Sequence, residues 1–225
     1  MRGMVQRPLV VAFDVNETLF SLEAIRRRLQ AISAPDGTLD RWFGQVLSHG
    51  FALTAAGSFV AFRDVARAVL ARLLGDDQAA RHVLEAFGEL DPHPDVRPAL
   101  ERLHLAGVPA VTLTNGHAET TRQLLRRAGL DHLVSRCFDV GEVRCWKPAA
   151  LPYEHCAQRC EVVPERLGMV AVHSWDIHGA RQAGLITGYA NRLEGTPVPN
   201  FLPAHVRGDD LVEVVGHLLD LPTTS

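Results

Sequence analysis

The sequence predicts an α/β fold, a doubly wound parallel sheet of Rossmann-like type with a helical cap subdomain inserted near its start. Three observations carry this. Short apolar runs recur and end in polar or turn residues. After residue 91 they alternate with helical spacing. Between residues 19 and 90 helical spacing continues with no strand-like run. The division this implies is a core of residues 1–18 and 91–225 and a cap of residues 19–90.

Residues 9–13 (LVVAF) form a continuous apolar, partly β-branched run ending at Asp14, the pattern of a buried parallel strand that delivers a polar residue to its tip. In open α/β sheets ligands bind at such tips. In the insert, Leu22, Ile25, Leu29 and Ile32 make one helical stripe, and Val65, Val69 and Leu73 another. Asp91-Pro92-His93-Pro94-Asp95 is a cluster of turn formers that returns the chain to the sheet. Residues 108–114 then read as a strand, 119–128 as a helix stopped by Gly129, and a further strand precedes Glu142. Residues 152–160 read as a helix, 169–173 as a strand, 177–183 as a helix, 185–190 as a strand and 210–219 as a closing helix.

At 225 residues the chain suits one α/β domain with a modest insert. It has no apolar stretch of the roughly 18 residues a membrane span needs and no small-residue cleavage site after its first apolar run, so a cytoplasmic location with no membrane partner is expected. The formal charge of −3 supplies no broad positive field for nucleic acid, and Arg26-Arg27-Arg28 reads as a solvated helix face. The four cysteines, Cys137, Cys145, Cys156 and Cys160, form neither a CxxC pair nor a zinc pattern and read as reduced thiols. Of the 23 Lys and Arg residues only Lys147 is a lysine, in a chain that uses arginine everywhere else.

Polar residues recur at the predicted strand ends: Asp14 and Thr18, Thr114-Asn115, Lys147, and Asp176. Two carboxylates, a lysine and a hydroxyl brought together support covalent catalysis, one carboxylate attacking and the other positioning or deprotonating water. A compact ammonium keeps both carboxylates ionised in a way a bulkier guanidinium does not.

These residues stand in a recognisable order. Phe13-Asp14-Val15-Asn16-Glu17-Thr18-Leu19, Leu113-Thr114-Asn115-Gly116, Trp146-Lys147-Pro148 and Ser174-Trp175-Asp176-Ile177-His178-Gly179-Ala180 resemble the four motifs of the haloacid dehalogenase superfamily. The combination most resembles the type II (S)-2-haloacid dehalogenases, whose helical cap follows the first motif. Phosphatases of the superfamily carry a second Asp where this chain has Asn16, and a metal-binding Asp where it has Val172. Asn16 is no general acid and a valine offers magnesium no side-chain oxygen, so no metal and no other cofactor is expected.

The resemblance implies a small 2-haloacid substrate and a set of roles. Asp14 attacks the halogen-bearing carbon to form an aspartyl ester, and Thr18 orients it. Thr114 and the backbone N–H groups of Val15 and Asn16 hold the substrate carboxylate. Asn115 helps cradle the halide, Lys147 pairs with the carboxylates, Asp176 positions the hydrolytic water, and Trp175 packs beneath the site. It also implies a possible homodimer. The sequence departs from the pattern in the cap, where Phe43 falls at the halide-binding arginine and Arg41 is the nearest arginine. It departs again where Ala171 and His173 replace a Ser and an Asn that line the water's site; His173 then hydrogen-bonds the water. The competing readings are a phosphatase stimulated by magnesium and a binding module on a catalytically decayed scaffold.

Overall fold

The computed structural model describes residues 5–195 and 199–223. Part of the N-terminal stretch read above, residues 1–4, lies outside them. Six parallel strands form one sheet: β1 (Val10–Phe13), β2 (Ala110–Thr114), β3 (Val134–Asp139), β4 (Leu167–Ala171), β5 (Ile186–Ala190) and β6 (Val206–Gly208), in the order β3-β2-β1-β4-β5-β6. The α/β doubly wound class predicted from the sequence is therefore the one observed. Strand β1 pairs with β2 on one side and β4 on the other, so the order reverses at β1 and opens a crevice beyond its C-terminal end. Every residue of β1, β2, β4 and β5 is buried, because helices cover both faces; hence the continuous apolar runs.

Between β1 and the rest of the sheet lie α1 (Glu23–Ala31), α2 (Thr38–Ala55), α3 (Phe62–Leu74) and α4 (Asp77–Leu84), with a 3-10 turn at Glu85–Gly88. Trp42, Val46, Val65, Val69 and Leu70 fill the space among them. Ile32 does not belong to the first stripe: α1 ends at Ala31, and Ile32 is its 37% exposed C-cap. Nor is the arginine triplet wholly a solvated face. Arg28 donates to the His82 carbonyl and pairs with Glu85 and Glu89, tying α1 to α4 and the turn after it.

The remaining helices are α5 (Val96–Leu105), α6 (Ala118–Arg127), α7 (Ala150–Arg159), α8 (Ser174–Gln182) and α9 (Leu211–Leu219). Gly129, at φ 62°, closes the turn after α6, and the Asp210 carboxylate caps α9 by accepting from the Glu213 N–H. Strand β6 has no counterpart in the sequence reading; it is three residues long and half-exposed, and only its pairing with β5 defines it. The strand expected over residues 169–173 ends at Ala171, and α8 begins at Ser174, so Asp176 sits in the first turn of a helix rather than at a strand tip. The cysteines are free thiols. No helix of the described residues is long and apolar enough to cross a membrane.

Two seams join the helical insert to the sheet. At the chain crossing, the Ser21 N–H donates to the Asp91 carbonyl and the His93 N–H to the Leu19 carbonyl. Farther out, the Trp146 indole N–H donates to the Val60 carbonyl at 2.9 Å and its backbone N–H to Thr54 Oγ1 at 3.1 Å. Gly50 of α2 lies flat against the Trp146 ring, where a Cβ has no room.

Candidate active site

Asp14 follows β1 directly and is 5% exposed. The chain then turns sharply, with Glu17 at φ 61°, and brings Thr18 back beneath the carboxylate. Thr18 Oγ1 donates to Asp14 Oδ2 at 2.8 Å and accepts the Val172 N–H at 3.2 Å, so both roles of this hydroxyl are used and its orientation is set.

Lys147 is wholly buried and spends all three ammonium hydrogens: on Asp14 Oδ1 at 3.0 Å, Asp176 Oδ2 at 2.6 Å and the Leu113 carbonyl at 2.8 Å. Its backbone is clamped by Asn115, whose Oδ1 accepts the Lys147 N–H at 2.9 Å and whose Nδ2 donates to the Lys147 carbonyl at 3.3 Å. Asn115 is thus first a strut for the lysine. The Lys147–Pro148 peptide is cis. Gly179 lets α8 lie flush on this loop, since a Cβ there would come within 2.6 Å of the Pro148 carbonyl oxygen, and this contact holds Asp176 against Lys147.

Sequence reasoning missed Tyr153. Wholly buried on α7, it donates its hydroxyl to Asp176 Oδ1 at 2.6 Å. The only trace in the sequence is its place in the helix that follows the Lys147-Pro148 turn.

One ammonium faces two buried carboxylates, and the titrations follow. Burial pushes the Asp14 carboxyl up, but the Lys147 charge and the His173 and Lys147 hydrogen bonds outweigh it and hold the group well below the usual carboxylate range. Asp176 is raised, by burial first and by the Asp14 charge. Burial works against the Lys147 charge, yet the two carboxylates raise its pKa and keep it an ammonium. The pair divides the work expected of it: a fully ionised Asp14 and a more basic Asp176.

Around this cluster, Thr114 Oγ1 accepts the Gly116 N–H at 2.9 Å and keeps its own hydrogen for a ligand. Val15, Asn16 and Thr114 line a cavity of about 70 Å³ that Phe62 and Phe87 close from the helical insert. His173 is 4% exposed. Its Nδ1 lies 3.2 Å from Asp14 Oδ2, its ring is stacked on Trp175 at 5.4 Å, and Phe43 covers it at 5.9 Å. Trp175 flanks the cluster, 5.8 Å from Lys147 Nζ, and meets Phe51 of α2 edge-on. The structure therefore brings together Asp14, Thr18, Lys147, Asp176, His173 and Phe43, with Val15, Asn16, Thr114 and Asn115 alongside. It leaves Arg41 out: that side chain is exposed on α2.

A magnesium ion does not fit this donor set. Val172 is wholly buried and apolar, and the cation between the two carboxylates is the ammonium itself.

A buried carboxylate at the switch point of a parallel sheet, braced by a lysine, a hydroxyl and a second carboxylate, is the equipment of an aspartate-based α/β hydrolase. The chain belongs to the haloacid dehalogenase-like hydrolase family, whose model matches residues 9–184. It is 28% identical over 196 residues to (S)-2-haloacid dehalogenase 2 of Pseudomonas sp. (strain CBS-3), covering 83% of this chain and 85% of that one. It is 31% identical over 149 residues to (S)-2-haloacid dehalogenase 1 of the same organism, 66% of each chain. Among solved structures, the L-2-haloacid dehalogenase from Xanthobacter autotrophicus with chloropropionic acid covalently bound superimposes with a TM-score of 0.83 at 21% identity, covering 95% of this chain and 99% of that one.

Proposed function

We propose that the protein is a metal-independent (S)-2-haloacid dehalogenase, acting on a short 2-haloalkanoic acid through an ester on Asp14. The observation that carries this reading is the buried Asp14–Lys147–Asp176 cluster, in which the ammonium holds Asp14 ionised and burial leaves Asp176 the more basic carboxylate. The similarity to the curated (S)-2-haloacid dehalogenases supports it.

In this mechanism the substrate carboxylate is held by the Thr114 hydroxyl and the Val15 and Asn16 N–H groups. Asp14, aimed by Thr18, attacks C2 from the face opposite the halogen; the C2–halogen bond breaks and halide leaves with its electron pair. Water then adds to the Asp14 carboxyl carbon, giving up a proton to Asp176. The ester C–O bond on the Asp14 side breaks, the second water hydrogen passes to the departing alkoxide oxygen, and the inverted 2-hydroxy acid leaves; Asp14 is restored as a carboxylate and Asp176 returns its proton to solvent. Lys147 and Tyr153 hold Asp176 in place throughout. Residues 19–90 act as the cap that excludes water from the first step, and Phe43 and Trp175 wall the halogen side.

Halide release from (S)-2-chloropropionate in the presence of a chelator tests this, with Asp14→Asn as the blank. Release by the wild type and none by the variant is expected. Turnover that survives in Asp14→Asn, or that requires added magnesium, overturns the reading.

A further inference from the structure

A departing halide needs a positive or hydrogen-bond-donating group to receive it. The cap does not offer one at the position from which related dehalogenases are expected to supply an arginine: Phe43 stands there, and Arg41 points to solvent. The core does. His173 Nδ1 faces the Asp14 carboxylate at 3.2 Å, so that nitrogen carries a hydrogen. The other nitrogen, Nε2, is buried with no hydrogen-bond partner among the described residues. Phe43 and Trp175 enclose the ring.

Charge points the same way. Asp14 and Asp176 carry two negative charges against the single positive charge of Lys147, and a substrate carboxylate would add a third. Two further carboxylates lie close by among the described residues: the half-buried Glu17, and Glu194, which accepts the N–H of Ser174 next to His173. A proton on Nε2 supplies the missing positive charge without bringing in another side chain.

We infer that His173, as an imidazolium, receives the halide: Nε2–H donates to the leaving halogen while Nδ1–H stays on Asp14. This rests on the dehalogenase reading above and assigns its leaving-group site. The Asp14 oxygen forms its bond to C2 as the C2–halogen bond breaks, the halogen keeps the electron pair, and no proton moves. The imidazolium is unchanged when the halide diffuses away. The task falls to the junction of β4 and α8 rather than to a helix of the cap, and Phe43 and Trp175 keep water from competing for Nε2.

The test is His173→Asn, assayed for halide release and for product inhibition by bromide. The expected result is a kcat lower by about 10²- to 10³-fold, a KM within about threefold, and loss of bromide inhibition. Adding Phe43→Arg to His173→Asn should return at least tenfold of the lost rate by restoring a cation on the cap side. If His173→Asn keeps kcat within about threefold and stays sensitive to bromide, the inference is wrong while the dehalogenase reading stands. A wild type that releases no halide removes both. Should His173→Asn fail to fold, the wild type decides: saturable quenching of Trp175 emission by bromide is expected, and purely collisional quenching overturns the assignment.

Discussion

On the sheet side of the site almost every polar atom is spoken for. Thr18, Asn115, Lys147 and Tyr153 each make a hydrogen bond that fixes either Asp14 or Asp176, or fixes a residue that does so. On the helical side the wall is aromatic: Phe43, Phe51, Phe62 and Phe87 face the core with rings and no charge. The sheet side determines which reaction occurs, because charges held in a water-poor site act at nearly full strength. In the proposed reaction the helical side would select which electrophile reaches them and keep water out until the ester has formed. Substitutions on the sheet side should therefore act on kcat, and those on the helical side on access, closure and stability.

The largest expected effect is at Lys147. Lys147→Arg should lower kcat by about 10³-fold or more, because a planar guanidinium cannot meet three acceptors arranged around one nitrogen. A surface change such as Arg63→Lys should stay within about twofold. Similar losses in both would erase the special place given to the lone lysine.

Gly50→Ala tests the seam between the two sides. The new methyl meets the Trp146 ring, so α2 must move away or the indole must leave its hydrogen bond to Val60. A loss of about 1–3 kcal/mol in unfolding free energy is expected, with KM rising more than kcat falls. An unchanged urea midpoint together with unchanged KM would mean that the seam is looser than it looks.

The chain crossing offers a smaller, pH-dependent effect. Burial and the Arg192 charge lower His93 to about 4, against 6.5 for an unfolded histidine. Between those values the unfolded chain binds more protons, so the stability His93 contributes is present above about 6.5 and is lost as pH falls toward 4. The half-buried Glu17 carboxyl, 3.9 Å away, is shifted upward and acts in the opposite sense, so the two are separated by variant. His93→Gln should flatten the decline in melting temperature between pH 6.5 and 4, a difference on the order of 1–2 kcal/mol. Parallel curves for variant and wild type would count against it.

The smallest effect is expected at Arg41. Its side chain is exposed, so Arg41→Ala should leave kcat/KM within about twofold. A tenfold loss would place Arg41 back in the reaction.

The sheet side was the legible side. Parallel strands buried on both faces leave long apolar runs in the chain, and the runs of β1 and β2 lead to Asp14 and Thr114, so these two residues and the succession of strands along the chain could be read directly. Asp176 was found by motif, although it sits one step later than expected, in the first turn of α8. Tyr153 was not found, because its role depends on α7 packing beside α8, a contact between helices that no local pattern encodes. β6 escaped because three half-exposed residues carry no period. On the helical side the spacing of Phe43 and Phe62 is that of any packed helix, and Phe87 lies in a short 3-10 turn with no period to read. Which of them faces the site emerged only when α2 and α3 were laid against the sheet.

The burial of the lone lysine also has a bearing on how the molecule meets amine-directed chemistry. Acylating reagents, reductive methylation and enzymes that modify lysine find no lysine on the folded surface, since Lys147 is wholly enclosed. Its nitrogen becomes reactive only when the region around it has opened and the ion pairs are broken. The rate at which Lys147 is acylated is then a clock for that opening, read at a single position in the chain.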